Sequence, residues 1–259
     1  QALIYCWRGG QRSRSLALVL NEIGWRISIL RGGYKNYRKL VLDELNDLSK
    51  YQFKILQGQT GSAKTKILNC LNYMNAQVID LESFACHRGS LLGSEINKKQ
   101  HSQRYFESLL HNAIDNFDCT KPIFIESESS KIGKLHLPKK LWLKLNESDR
   151  LLLNVPIDER IKFLLKEYKH LTKDCKLIQP FINGMKGKIS NEKLSNWTNL
   201  IQKKDWGNFV KEILENHYDP KYNFSATKHM NKIKHKIDII ELNKLSIDNA
   251  SKKILEYFN

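Results

Sequence analysis

Phe53-Lys54-Ile55-Leu56-Gln57-Gly58-Gln59-Thr60-Gly61-Ser62-Ala63-Lys64-Thr65-Lys66-Ile67-Leu68 is the stretch that decides the fold of this 259-residue chain. Phe53 to Leu56 is an apolar, strand-like run, and Ile67, Leu68 and Leu71 recur at helical spacing beyond a glycine-containing turn. Gly58 to Thr65 approximates the phosphate-loop pattern GxxxxGK(S/T), with Ala63 where the last glycine is expected. In such a turn the backbone N–H groups cradle phosphate oxygens, a lysine neutralises charge, and the final hydroxyl can ligate Mg²⁺. Gly58, Thr60, Gly61, Ser62, Ala63, Lys64 and Thr65 are therefore the candidate phosphate-binding residues. Ala63 adds a methyl where the backbone should approach the anion, which narrows the site.

Outward from this turn the same alternation continues. Strand-like runs recur at Val78-Ile79-Asp80-Leu81, Ile123-Phe124-Ile125, Leu151 to Val155 and Ile237 to Leu242, with helical patterns between them. Upstream, Ala2 to Tyr5 reads as a strand. A helix carrying Leu16, Leu18, Val19, Leu20 and Ile23 ends at Gly24, a second strand runs from Trp25 to Leu30, and a second helix spans about Asn36 to Leu48. The expected fold class is α/β, a parallel sheet with helices on both faces, followed from Ile157 by a mostly helical, lysine-rich region.

Composition narrows the function. With 41% hydrophobic and 10% aromatic residues the chain can pack a core, and 13 Gly with 5 Pro exclude a collagen-like or linker-like polymer. A net charge of +16 favours a polyanionic partner, nucleic acid first. The chain opens at Gln1 without a Met, a charged n-region or a cleavage site, which reads as a cut start with no secretory signal. No apolar stretch approaches the roughly 18 residues of a membrane span. Five cysteines without CxxC spacing suggest neither a disulfide framework nor a zinc site, so a cytoplasmic location is expected.

The second anion-binding candidate is Cys6-Trp7-Arg8-Gly9-Gly10-Gln11-Arg12-Ser13, between a strand and a helix N-terminus. Residues 1 to 40 hold eight basic side chains against one acid, Glu22. Converging loop N–H groups, the helix dipole and the charges of Arg8 and Arg12 should each lower the Cys6 thiol pKa. Cys6 is thus the catalytic candidate, with Arg8, Gly9, Gly10, Arg12 and Ser13 as its anion loop. The loop is similar both to that of rhodanese-like domains and to the wider loop of rhodanese-related phosphatases; a phosphatase would also need an acid, and none occurs before Glu22.

Acidic and polar residues cluster after the next strands. Asp80 and Glu82 follow one, with His87, Arg88 and Ser90 close behind, while Glu126 and Glu128 follow Ile123-Phe124-Ile125 and open the stretch that ends at Gly133. Either acidic pair could serve as the metal or water site that accompanies a phosphate loop. Glu82, His87, Arg88, Ser90, Glu126 and Glu128 are the candidate substrate contacts, at the carboxyl edge where open α/β sheets bind ligands. Trp7, Trp197 and Trp206 could stack on bases, but a buried role is expected for each.

Taken together, Cys6 to Ser13, Gly58 to Thr65, Asp80-Leu81-Glu82 with His87-Arg88-Gly89-Ser90, Glu126 to Gly133, and His217-Tyr218-Asp219-Pro220 with Tyr222 resemble the tRNA 2-selenouridine synthase family, in which a rhodanese-like domain precedes a P-loop domain. The resemblance implies a transferase that converts wobble 2-thiouridine of tRNA to 2-selenouridine through an S-geranylated intermediate, with geranyl diphosphate and selenophosphate as co-substrates. Cys6 would handle selenium transfer, and the phosphate loop would take the diphosphate, accompanied by Mg²⁺, with no tightly bound cofactor and no membrane partner. It further implies residues 1–48 as the C-terminal part of a rhodanese-like domain and 49–259 as a P-loop α/β domain with a helical, basic C-terminal region. Only Ala2 to Tyr5 precede Cys6, where a whole rhodanese-like domain needs several strands, so an exposed sheet edge is expected. The alternatives are a P-loop NTPase or small-molecule kinase with an inactive rhodanese remnant, and a non-catalytic RNA-binding remnant.

Overall fold

The computed structural model describes residues 1–87, 99–127, 129–173, 175–230 and 236–258, with the backbone alone at 175 and 225–230. A small unit comes first. β1 (Ala2–Ile4) and β2 (Ile27–Ile29) pair in parallel across α1 (Gln11–Glu22), and α2 (Gly33–Asn46) follows. The second helix begins at Gly33 rather than near Asn36, because Gly32 takes the left-handed conformation, φ 75°, that turns the chain into it. Among the described residues each strand of this sheet pairs only with the other, and Leu3, Leu18, Val19, Ile23 and Trp25 are exposed.

The larger sheet has five parallel strands in the order β4-β5-β3-β8-β9: β3 (Phe53–Gly58), β4 (Gln77–Ile79), β5 (Ile123–Glu126), β8 (Asp149–Asn154) and β9 (Ile237–Glu241). A two-residue pair, β6 (Lys131–Ile132) and β7 (Leu135–His136), forms a separate antiparallel hairpin. β3 is central, and its period-2 alternation divides it between two cores. Phe53 and Ile55 face α2, α5 (Gln103–Asp115) and α6 (Lys139–Asn146) through Val41, Leu45, Phe106, Leu110 and Leu141. Leu56 faces α3 (Lys64–Tyr73) and α13 (Ile247–Phe258) through Ile67, Leu68, Leu71 and Ile254.

The expected strand Val78 to Leu81 stops at Ile79. Asp80 instead caps the short helix α4 (Leu81–Ala85), its carboxylate accepting the Ser83 N–H at 2.8 Å, and Leu81 is buried from that helix. The helical region after β8 has its own core. α7 (Ile157–Glu167) and α8 (Lys169–Lys173) lead to α9 (Gln179–Met185), α10 (Asn191–Gln202) and α11 (Trp206–Ile213), which pack Phe181, Met185 and Phe209 around Trp197. A π-helical turn, Leu214–Tyr218, then runs into α12 (Asp219–Met230). Of the three tryptophans expected to be buried, Trp197 is fully so and Trp206 packs partly against this core, whereas Trp7 is 45% exposed. Among the described residues no helix is long and apolar enough to cross a membrane.

Candidate active site

β3 is where the strand order reverses: the chain leaves it for β4 on one side and later crosses to β8 on the other, so its carboxyl end opens a crevice suited to a ligand. The phosphate loop sits there. A Cβ on Gly58 would stand closer than 3.0 Å to the Ser62 hydroxyl, which is itself buried and has no hydrogen-bond partner among the described residues. Gly61 has φ 87°, and a Cβ there would press on Leu164 and Arg160 of α7 at 3.0 to 3.1 Å. Ala63, the departure from the glycine pattern, caps α3 in the left-handed region at φ 59°. Lys64 Nζ donates to the Gly58 carbonyl at 2.7 Å, folding the ammonium back over the loop. Thr65, half-buried, opens α3 behind it.

Sequence reasoning missed Arg160, which reaches this loop, though its partner Asp219 lies in the stretch His217 to Tyr222 that the resemblance singled out. Arg160, 3% exposed, forms a bidentate pair with Asp219 at 2.9 and 2.8 Å and donates from the same Nη1 to the Thr60 carbonyl at 3.2 Å. Three residues along α12 from Asp219 lies Tyr222, whose phenol pKa is raised by burial, partly offset by the nearby Gly58 backbone. The available signal was an arginine on the stripe Ile157, Arg160, Leu164, since a charge on an apolar helix face requires a buried partner. Beside Thr60 lies an apolar cleft, partly open to solvent, walled by Leu164, Tyr168, Phe181, Trp206 and Tyr218, with no charged side chain among the described residues that line it. Burial drives the Tyr218 phenol up to about 12, so its hydroxyl stays protonated.

The acidic candidates converge at the same sheet edge. Glu126 is buried, stands in register with Leu56 of β3, and its carboxylate accepts the Glu82 N–H at 3.2 Å. Desolvation raises the Asp80 pKa, partly offset by backbone donors from Ser83 and Glu82. His87 is brought against Gly133 and Gln100, so the loop after β4 and the turn between β6 and β7 meet although 46 positions separate these two residues. Arg88, Ser90 and Glu128 lie outside the described residues. Among the described residues no three His, Cys, Asp or Glu side chains form a metal-binding group.

In the cysteine loop, the Cys6 thiol is lowered from 9.0 to about 6. The largest cause is the Ser13 hydroxyl, 3.4 Å from Sγ, followed against desolvation by the N–H groups of Gly10, Ser13 and Arg8; the Gly10 donor lies at 3.2 Å. The Ser13 hydroxyl also reaches the Gly10 carbonyl at 3.0 Å, and its single hydrogen serves one acceptor at a time. The guanidinium groups of Arg8 and Arg12, expected to contribute, are exposed and are not among the groups that lower the thiol. Short-range donors outweigh them because water screens charges that project into solvent. Tyr34 N–H donates to the Cys6 carbonyl at 3.0 Å and Lys35 N–H to that of Trp7 at 2.8 Å, so the start of α2 holds the loop from below.

The small unit that carries the cysteine loop is joined to the larger one through α2 and α5. Arg38 pairs with Glu107 and Glu44 with His111, while Arg104 lies 5.8 Å from the Trp7 ring centroid and Tyr34 flanks the same ring at 5.5 Å.

This fold defines a P-loop α/β protein, a parallel sheet flanked by helices, preceded by a small unit that carries Cys6. Residues 51–204 match the family model described as the tRNA 2-selenouridine synthase AAA domain, and the chain belongs to that family. Proteins named tRNA 2-selenouridine synthase align along 90% of this chain and 70% of their own length: 26% identical in Psychromonas ingrahamii, 28% in Marinobacter nauticus and 30% in a Sulfurovum species.

Proposed function

We propose that this chain is a tRNA-modifying transferase that converts wobble 2-thiouridine to 2-selenouridine through an S-geranylated intermediate, as its relatives' names and its two anion loops support. The observation that carries the geranyl step is the shared wall at Thr60: a phosphate loop on one side and an uncharged apolar cavity on the other. A nucleotide would bring a polar base to that cavity, whereas a geranyl chain contributes about 0.8 kcal/mol for each methylene it buries.

In the first step the thiocarbonyl sulfur attacks C1 of geranyl diphosphate; the S–C bond forms as the C–O bond to diphosphate breaks. Loop N–H groups and Lys64 neutralise the departing charge. Mg²⁺ fits this donor set, since it is commonly held by few protein oxygens together with substrate phosphates, and Thr65 and Glu126 would hold it. In the second step the selenium of selenophosphate adds to C2 and expels geranylthiolate, and water then cleaves the P–Se bond, releasing phosphate and leaving 2-selenouridine. Cys6, kept ionised by Ser13 and loop N–H donors, handles selenium transfer, with the Arg8 to Ser13 loop as the anion site. On this reading residues 1–48 are the C-terminal part of a rhodanese-like domain. Exposed Trp7, flanked by Arg104 and Tyr34, supports a base-stacking role in the unpaired anticodon loop, and the +16 charge supports backbone binding.

Mass spectrometry of tRNA nucleosides tests the proposal. Incubation with geranyl diphosphate should yield S-geranyl-2-thiouridine, and later selenophosphate should yield 2-selenouridine. Turnover of ATP or GTP without either nucleoside would favour the NTPase alternative and defeat this reading.

A further inference from the structure

We propose that Arg160 and Asp219 are positioning residues for the phosphate loop, setting the direction in which its N–H groups point. This inference rests on the loop being an anion site. The Thr60 carbonyl and the Gly61 N–H belong to one planar trans peptide and therefore point in opposite directions. Arg160 draws the carbonyl towards α7 at 3.2 Å, so the Gly61 N–H is aimed away from α7, into the loop. Asp219 holds both terminal nitrogens of the guanidinium, at 2.9 and 2.8 Å, and leaves it little freedom to turn.

Two further features fit a device that aims the loop. A Cβ on Gly61 would stand 3.1 Å from the Arg160 carbonyl oxygen, so the loop backbone packs closely on that of α7. Tyr222, three residues along α12 from Asp219, lies near enough to the Gly58 backbone for it to lower the phenol's pKa, so the helix that carries Asp219 also approaches the loop. α7 also lines the apolar cavity through Leu164 and Tyr168 lies just beyond its end, while Tyr218 immediately precedes Asp219. The pair thus ties together the two cavity walls and the phosphate loop between them.

A structural role alone would affect stability, whereas positioning affects anion affinity in a folded protein. Calorimetry with inorganic pyrophosphate on the full chain separates them, comparing the unvaried protein, Asp219→Asn, and the double variant Arg160→Met with Asp219→Leu. Replacing a buried ion pair with apolar groups of similar size often preserves stability, but the double variant leaves the Thr60 carbonyl without its donor. Circular dichroism and the pH profile of Cys6 alkylation report that the fold and the other loop are intact. The expected result is pyrophosphate binding weakened about tenfold or more in both variants, with the Cys6 profile unchanged. Binding equal to that of the unvaried protein in the folded double variant overturns the inference. An unvaried protein that takes up no pyrophosphate instead overturns the anion-site reading, and this inference with it.

Discussion

Gly33 lies so close to Cys6 that a Cβ built on it would come inside 3.0 Å of the Cys6 carbonyl oxygen, and Gly9 N and Arg8 C also fall inside that distance. All three obstacles are backbone atoms, and Gly33 has φ 64° besides. The activated thiol loop is therefore shaped by a turn 27 positions further along the chain.

Gly33→Ala should push the cysteine loop away from α2, since neither the left-handed backbone nor the contact tolerates a methyl. A loss of about 2 kcal/mol or more is expected in denaturant unfolding. Cys6 alkylation should shift towards higher pH as the loop donors separate from the sulfur. An unchanged alkylation profile would mean that the Gly32-Gly33 turn does not shape the thiol site.

The Cys6 alkylation rate should rise through a midpoint near pH 6. Ser13→Ala removes the largest cause of the lowered pKa and should move that midpoint upwards. The sign for stability follows from the same shift: the unfolded thiol ionises near 9.0 and the folded one near 6, so between these values the unfolded state binds more protons. Stability from this group therefore grows as pH rises from about 6 to 9.0 and is lost as pH falls through about 6, by an amount that solvent exposure reduces. Comparing unfolding of the parent and of Cys6→Ala across this range isolates the contribution.

Ala63→Gly should stabilise the protein modestly. Left-handed backbone costs an L-residue roughly 1–2 kcal/mol, while glycine gives back about 0.4–1 kcal/mol through the entropy of the unfolded chain. A net gain of about 0.5 kcal/mol should appear as a small rise in Tm, together with tighter pyrophosphate binding in calorimetry. A lower Tm would show that the methyl's packing outweighs the strain.

Trp7→Ala should weaken tRNA binding by about 1–3 kcal/mol, the worth of one stacked base, without changing the dependence on salt. Arg104→Ala should weaken both affinity and salt dependence if that guanidinium also meets a phosphate. Filter binding at several salt concentrations measures the two together. Equal affinity in Trp7→Ala would assign the exposed ring to another role.

Local patterns carried the fold a long way. Apolar runs located β3, β5 and β8, because burial on both faces of a parallel sheet enriches the strand in apolar residues that a single chain displays directly, while β9, at the sheet edge, was located by a shorter run that leaves Ile239 exposed. At Leu81 the same apolar signal misled, since Asp80 could cap a helix and Leu81 could be buried from either conformation. Trp7 misled for a related reason. Its ring is apolar enough for a core, but the loop that presents it lies at the surface, between Tyr34 and Arg104.

What the sequence by itself determined was the chain order of the main strands and turns and the position of the two glycine-containing loops that follow β1 and β3, because these depend on residues within a few positions of one another. Only the tertiary structure decided that Gly33 braces Cys6, that His87 meets Gly133, and that Arg160 holds Thr60 while paired with Asp219, 59 positions away. The physical reason is that a buried charge or a close backbone approach needs some partner but does not specify which. The choice is made when the sheet closes and brings distant segments to one edge.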